Sequence, residues 1–279
     1  MAKSLKVGIC QMQVTEYKER NIEKGLEMIQ EASRQGCQMV VLPEMFNCPY
    51  VTVDFPTYSE PIPNGESTLA LQEAAARHNI LIVGGSIPEK TNDGQLFNTS
   101  VVINPRGEII AKHRKIHLFD VNISEGITFR ESDTLSPGRN ITTFDTEYCR
   151  MGLAICYDLR FPELARLMVL EGARILIFPA AFNTTTGPAH WESLLRCRAI
   201  DNQTYVLAAA PAHHPTLVYP TYGHSMVVNP WGNIVAQAKF GEELITAEVN
   251  FDFIDKIREE LPLLKHRRKD VYDLQKIVF

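Results

Sequence analysis

Two stretches of this chain repeat one another, one with a carboxylate and one without. Residues 36–47 read Gly-Cys-Gln-Met-Val-Val-Leu-Pro-Glu-Met-Phe-Asn, and residues 172–183 read Gly-Ala-Arg-Ile-Leu-Ile-Phe-Pro-Ala-Ala-Phe-Asn. Each is a glycine, an apolar run fit for a buried strand, and then Pro-x-x-Phe-Asn. Glu44 in the first copy is matched by Ala180 in the second. A duplicated scaffold has to pack the same strand twice, so a carboxylate kept in only one copy points to chemistry rather than to folding.

The repetition extends further. Ser100-Val-Val-Ile-Asn-Pro-Arg-Gly-Glu-Ile-Ile-Ala111 returns as Ser225-Met-Val-Val-Asn-Pro-Trp-Gly-Asn-Ile-Val-Ala236. Each reads as a hairpin, with proline at the second position of the turn and glycine supplying a positive φ. The opening Lys6-Val-Gly-Ile-Cys10 is similar to Met151-Gly-Leu-Ala-Ile-Cys156. Two copies are too few for a solenoid and imply one domain with internal pseudo-symmetry.

Composition agrees. The 279 residues are 45% apolar and 22% charged, an ordinary globular mix. No Pro/Gly/Ser-rich linker divides them, so residues 1–279 are expected to form a single domain with an irregular tail from about 261 to 279. The net charge of −5 offers nothing for nucleic acid. The one basic run, Lys265-His-Arg-Arg-Lys269, lies beside Asp270 and Asp273 and reads as a solvated or subunit-contact segment. Six cysteines without C-x-x-C spacing argue for a reducing compartment and against a disulfide framework or a zinc site. The chain enters an apolar strand almost at once, with no leader-like h-region and no apolar run of spanning length. A cytoplasmic protein, not associated with membrane, is the expectation.

Short apolar runs predict strands at 5–12, 38–43, 80–85, 151–156, 174–178, 204–210 and 244–249, and hairpins over 97–112 and 222–238. Helical spacing predicts helices at 19–35, 66–78, 162–171, 188–202 and 251–260. Residues 113–148 read as a polar, irregular insertion without a counterpart. Strands alternating with helices imply an α/β layer structure, and the hairpins imply mixed sheets, one per repeat, with helices outside.

In open α/β folds reactive groups gather where strands end. Strand 38–43 delivers Glu44, the first hairpin delivers His113-Arg114-Lys115, and strand 151–156 delivers Cys156 just before a helix at Pro162. The thiol at that junction is expected to feel the positive end of the helix, which favours the thiolate. Glu44 is placed to take its proton and Lys115 to balance charge. No histidine has an obvious place as the base; only His113 ends a strand of the duplicated unit. Plain readings stay open: a core cysteine, a helix-start glutamate, a surface lysine.

These three segments resemble the signatures of the nitrilase superfamily of carbon–nitrogen hydrolases, known by a Glu-Lys-Cys triad. Leu42-Pro43-Glu44, His113-Arg114-Lys115 and Ile155-Cys156-Tyr157-Asp158-Leu159-Arg160-Phe161-Pro162-Glu163 stand in that order. The resemblance runs on through Tyr222-Gly223-His224-Ser225 and Arg267-Arg268-Lys269-Asp270-Val271-Tyr272. It implies an α/β fold: a single-domain αββα sandwich with two mixed sheets, assembling as a homodimer or a higher even-numbered oligomer.

Within the superfamily, Lys115-Ile-His-Leu-Phe-Asp120, Ile127-Thr-Phe-x-Glu131-Ser132 and Gly187-Pro-Ala-His-Trp191 are similar to the omega-amidase branch. The resemblance implies hydrolysis of a small amide that carries a carboxylate, through a thioester on Cys156, with no metal and no organic cofactor. It implies catalytic roles for Glu44, Lys115 and Cys156, with Glu131 as a second carboxylate that positions Lys115 or the substrate. It implies an oxyanion donor at the Tyr157 N–H and substrate-binding roles for Arg160, Tyr50 and Thr185. Arg160 has a plainer alternative, an ion pair with Glu163 or Asp158. His190-Trp191 is read as packing at a helix start. The alternatives are another carbon–nitrogen hydrolase, such as a deaminated glutathione amidase, or a non-catalytic interaction protein on the same fold.

Overall fold

The computed structural model of the chain describes residues 3–124, 126–214 and 219–277. The first half runs β1 (Ser4–Gln11), α1 (Lys18–Arg34), β2 (Met39–Val41), a one-turn α2 (Phe55–Tyr58), α3 (Glu66–His78), β3 (Leu81–Val83), β4 (Ile87–Lys90), β5 (Leu96–Ile103) and β6 (Ile109–Arg114). The middle carries β7 (Asp120–Asn122), β8 (Thr128–Arg130) and β9 (Thr142–Asp145). The second half runs β10 (Arg150–Leu153), α4 (Pro162–Leu170), β11 (Ile175–Pro179), α5 (Gly187–Asn202), β12 (Tyr205–Ala209), β13 (Met226–Val228), β14 (Ile234–Gln237), β15 (Glu243–Asn250) and α6 (Phe251–Glu260).

Two large sheets build the molecule, and β7 and β8 pair as a separate two-stranded ribbon. One has the order β15-β1-β2-β3-β5-β4 with β6 also on β5; the other has the order β14-β13-β12-β11-β10-β9. Strand alternation sends residues to opposite faces. Leu5, Val7, Ile9, Met39 and Val41 from the first sheet meet Met151, Leu153, Ile175, Ile177 and Leu207 from the second in a shared core. The other faces pack on helices: Val40, Leu42 and Ile82 on Ile22, Ile29, Ala32 and Leu71 of α1 and α3; Leu176, Phe178 and Val206 on Leu164, Met168, Leu195 and Ala199 of α4 and α5. The layers are therefore helix, sheet, sheet, helix.

The pseudo-symmetry is plain in the pairings. Parallel β1-β2-β3 matches parallel β10-β11-β12, and each triplet is flanked by one antiparallel strand and one antiparallel hairpin. Gly8 stands opposite Val40 and Gly152 opposite Leu176. A Cβ on Gly8 would meet Ala32 of α1 at 3.1 Å, and one on Gly152 would meet Met168 of α4 at 2.8 Å. Both glycines let a helix approach its strand. This register places Cys10 level with Ala154, so Cys156 lies beyond the repeat rather than opposite Cys10.

Two expectations are corrected. The sheets are not one per repeat: β15, from the second half, pairs antiparallel with β1 along all of its eight residues. Nor is 113–148 an irregular insertion, because His113 and Arg114 finish β6, and β9 pairs antiparallel with β10. β9 takes beside β10 the place that β15 takes beside β1. Its Thr-Thr-Phe-Asp sequence reads as polar because it is an edge strand. Helix 162–171 faces its own sheet through Leu164 and Met168, while Leu170 is exposed.

Candidate active site

Each reactive side chain sits on backbone that is clamped from both sides. Past β2, the Leu42 N–H donates to Val83 O at 3.0 Å and the Ser86 N–H donates to Pro43 O at 3.2 Å. The Met45 N–H donates to Ser86 Oγ at 3.0 Å. Glu44 lies between these bonds. Just past β6, the Lys115 N–H donates to Asn98 O at 2.8 Å, and Lys115 O accepts from the Gly138 N–H at 2.7 Å. Past β10, Cys156 takes a left-handed backbone (φ 46°) and opens a short 3₁₀ turn, Cys156–Arg160.

The side chains meet in one buried cluster. Lys115 Nζ lies 2.9 Å from Glu44 Oε1 and 2.8 Å from Glu131 Oε1, and all three side chains are fully buried. The ammonium also reaches the Tyr50 hydroxyl at 3.2 Å. That hydroxyl's single proton is shared between Glu44 Oε1, at 3.0 Å, and Glu131 Oε1. Asn98 Nδ2 donates to Glu44 Oε1 at 2.8 Å, and the Phe119 N–H donates to Glu131 Oε2 at 2.6 Å. Glu44 Oε2 is buried and has no partner among the described residues. One carboxylate oxygen is thus committed to the ammonium while the other is uncommitted.

Burial and charge set the protonation states. Burial pushes Glu44 above the usual carboxylate range, against the pull of Lys115. Burial opposes the charge on Lys115, but Glu131 and Glu44 outweigh it and hold the ammonium well above the ordinary lysine value. Burial and the nearby Glu44 push the Cys156 thiol well up, while Lys115 and the Ala181 backbone pull it down. The thiolate expected from a helix terminus is therefore corrected. Cys156 opens a five-residue 3₁₀ turn, and α4 starts only at Pro162, so burial wins. The resting pair is a thiol beside a carboxylate that can accept its proton.

A cavity of about 640 Å³ lies elsewhere, between Phe97, Arg114 and Arg139, with none of these groups in its lining. Chemistry rather than volume locates the site. Residues 6–259 match the sequence profile described as carbon-nitrogen hydrolase. The chain belongs to that family. It is 47% identical over 272 residues to Omega-amidase NIT2 of Bos taurus, covering 98% of each chain. It is likewise 47% identical over 275 residues to Omega-amidase NIT2-A of Xenopus laevis, covering 99% of each. Among solved structures, Saccharomyces cerevisiae Nit3, described as a member of branch 10 of the nitrilase superfamily, superposes with a TM-score of 0.89 at 42% identity, over 96% of this chain and 98% of that one.

The other expected residues of this carbon–nitrogen hydrolase are placed as follows. Tyr50 belongs to the charged cluster itself. Its ring packs on Phe55, Phe129 and Tyr219, the last at 4.7 Å. The Tyr157 N–H finds no backbone acceptor among the described residues. Arg160 makes no ion pair with Glu163 or Asp158; its guanidinium lies over the Phe182 ring at 4.7 Å and meets His190 Nδ1 at 3.1 Å. Arginine only donates, so that nitrogen accepts. Thr185 is exposed, anchored through its N–H to Asn183 Oδ1, with its methyl beside Gly126. Trp191 is buried and donates to His224 O at 2.7 Å, as packing at the start of α5 requires.

Asn98 and Tyr219 were not anticipated. Asn98 left a faint signal, a polar Asn-Thr-Ser run inside an otherwise apolar strand. Tyr219, whose hydroxyl donates to Ala181 O at 2.9 Å, left none.

Proposed function

We propose that this chain is an omega-amidase. It hydrolyses the terminal amide of 2-oxoglutaramate or 2-oxosuccinamate to the dicarboxylate and ammonia, through a thioester on Cys156. The observation that carries the reading is the buried ammonium of Lys115 held between Glu44 and Glu131 beside a cysteine on left-handed backbone. The near full-length likeness to omega-amidases supports the substrate class.

Glu44 takes the thiol proton as Sγ attacks the amide carbon. The oxyanion that forms is stabilised by Lys115 and the Tyr157 N–H in this buried site. Glu44 then gives its proton to the leaving nitrogen; the carbon–nitrogen bond breaks, and ammonia departs from the thioester. Glu44 next takes a proton from water, whose oxygen attacks the thioester; the acid is released and the thiol restored. Glu131 holds Lys115 from the far side, and Tyr50 orients both carboxylates. Cys, Glu and Lys supply nucleophile, acid/base and electrostatics, so no metal or organic cofactor takes part. Arg160, free of ion pairs among the described residues, supplies the cation for the substrate's own carboxylate, with Thr185 at the rim of the site.

The protein is further proposed to be a cytoplasmic homodimer. Six free cysteines suit a reducing compartment. Leu170 of α4 and Ile200 of α5 are exposed apolar side chains that a second copy would cover; sedimentation velocity showing only monomer would refute this. No helix among the described residues is long and apolar enough to cross a membrane.

The functional test is ammonia release from 2-oxoglutaramate, deaminated glutathione and a simple nitrile. The reading expects the fastest turnover on 2-oxoglutaramate. It also expects Arg160→Ala to raise KM by about tenfold or more with kcat nearly unchanged, since uniform binding is what it removes. A preference for either of the other two substrates would overturn the substrate assignment.

A further inference from the structure

His113 and His117 stand two residues before and two after Lys115, and both turn to the same carboxylate, Asp158, two residues after Cys156. Asp158 is buried. Its Oδ1 accepts from the His117 N–H at 2.9 Å and lies 2.7 Å from His117 Nδ1. Its Oδ2 accepts from the Ile155 N–H at 3.0 Å and lies 3.1 Å from His113 Nε2. An ionised carboxylate offers about four lone-pair sites, so this one is saturated. Three of its bonds go to the lysine segment and one to the residue before the nucleophile.

The charge state fixes the direction of these bonds. Burial would raise Asp158, but hydrogen bonds from His113 and His117 outweigh it and hold the group below the usual carboxylate range. Both ring nitrogens that face it are therefore N–H donors. That leaves His113 Nδ1, 2.9 Å from Thr142 Oγ1, to accept from the hydroxyl of β9 when the ring is neutral. The His117 ring is in turn stacked on Phe161, centroids 3.6 Å apart and planes 9° apart. The Phe161 N–H closes the turn onto Asp158 O at 3.1 Å.

Cys156 needs such a brace. Left-handed backbone is unfavourable by about 1–2 kcal/mol for a residue with a Cβ, and Cys156 has φ 46°. Asp158 holds the turn from inside, accepting from the Ile155 N–H while its own N–H donates to Ile155 O at 3.0 Å. The same carboxylate holds the backbone N–H of His117 after Lys115 and the ring of His113 before it.

We propose that Asp158 is the positioning residue that sets Cys156 Sγ against Lys115 Nζ, with His113 and His117 as its two arms to the lysine segment. The proposal rests on the reading of Cys156 as nucleophile and Lys115 as oxyanion donor. A misplacement of about 1 Å can lower a rate about 10²-fold, which sets the size of the effect.

The experiment compares Asp158→Asn, His117→Leu and His117→Asn with the parent enzyme at a temperature where each is folded. It reads kcat and KM for ammonia release and the rate of Cys156 alkylation by iodoacetamide. Asp158→Asn is expected to lower kcat about 10²-fold with KM nearly unchanged, and to slow alkylation, because both arms and the turn are released. His117→Leu is expected to lower kcat about tenfold while alkylation stays at the parent rate, because only the lysine arm is cut. His117→Asn puts an amide N–H where Nδ1 stood and should restore most of the loss. General loosening of the fold would not separate turnover from alkylation in this way.

Folded Asp158→Asn with parental kcat and alkylation would overturn the proposal. So would a His117→Leu loss that His117→Asn fails to rescue. If Asp158→Asn does not fold, the His117 pair decides. A parent enzyme without amide turnover would sink the functional reading instead. Slowed alkylation in folded Asp158→Asn would then still support the brace, and parental alkylation would refute it.

Discussion

Lys115 is the residue on which the charges of the site balance. One ammonium serves two buried carboxylates, leaving the cluster with one net negative charge beside a thiol. Lys115→Met would leave Glu44 and Glu131 facing each other across Tyr50. Breaking a buried pair costs about 3–5 kcal/mol, and losing an oxyanion donor lowers the rate on the order of 10²–10³-fold. The expected variant melts well below the parent and releases ammonia at that reduced rate; parental melting or parental turnover would contradict the account. Glu131→Gln keeps a bond acceptor for Lys115 and should fall between the two. Glu44 was legible in the sequence because Ala180 shows that packing does not need the charge. The state of Cys156 was not legible, because its raised pKa comes from burial that the repeat does not encode. Asn98 was only faintly visible for a related reason: a polar Asn-Thr-Ser run in a strand of eight does not say which of the three has a reactive partner.

Among the elements, the loop after β3 controls where Glu44 points. Gly85 has φ 57°, and a Cβ there would stand 2.1 Å from Pro43 O, the carbonyl just before Glu44. Gly85→Ala therefore has to move the glutamate loop. We expect a destabilisation of at least about 1–2 kcal/mol from the left-handed backbone alone, with activity lost in the protein that remains folded. Circular dichroism melting together with specific activity checks this, and an active, parent-like Gly85→Ala would contradict it.

The edge strand β4 contributes Glu89, which holds β6 through Arg114 and Lys112. Burial raises Glu89, but hydrogen bonds from Arg114, Thr99 and Lys112 outweigh it and hold the carboxyl at about 2. A depressed folded pKa means stability that is present above the unfolded value of 4.5 and lost as pH falls from there toward 2. Melting temperature should decline across that window, and less steeply in Glu89→Gln. The long strands and helices were legible from periodicity. β4, β7, β8 and β9 were not, because they are short and three of them carry mostly polar residues.

The whole molecule is one plan used twice and then broken at one end. The two sheets share a core, and the loops after β2 and β11 both reach the site: one brings Glu44, the other Ala180 and Ala181 beside Cys156. The duplicated halves were legible because each copy had to keep its apolar strand and its Pro-x-x-Phe-Asn loop. The crossing of β15 onto the first sheet was not, because an antiparallel neighbour is chosen by tertiary contact rather than by local pattern. The segment between the halves supplies Lys115, Glu131 and His117, while the other arm to Asp158, His113, comes from the end of β6. The asymmetry first seen at Glu44 thus extends to the machinery around it.

The account turns on a covalent bond at Cys156. The measurement that reaches it most directly is rapid quenching of the enzyme with 2-oxoglutaramate in acid, followed by intact-mass and peptide analysis. The prediction is an acyl adduct on Cys156 that forms with ammonia release, decays with product formation, and is absent in Cys156→Ala, which releases no ammonia. Ammonia released by Cys156→Ala at the parental rate, or an acyl group on another residue, would contradict it.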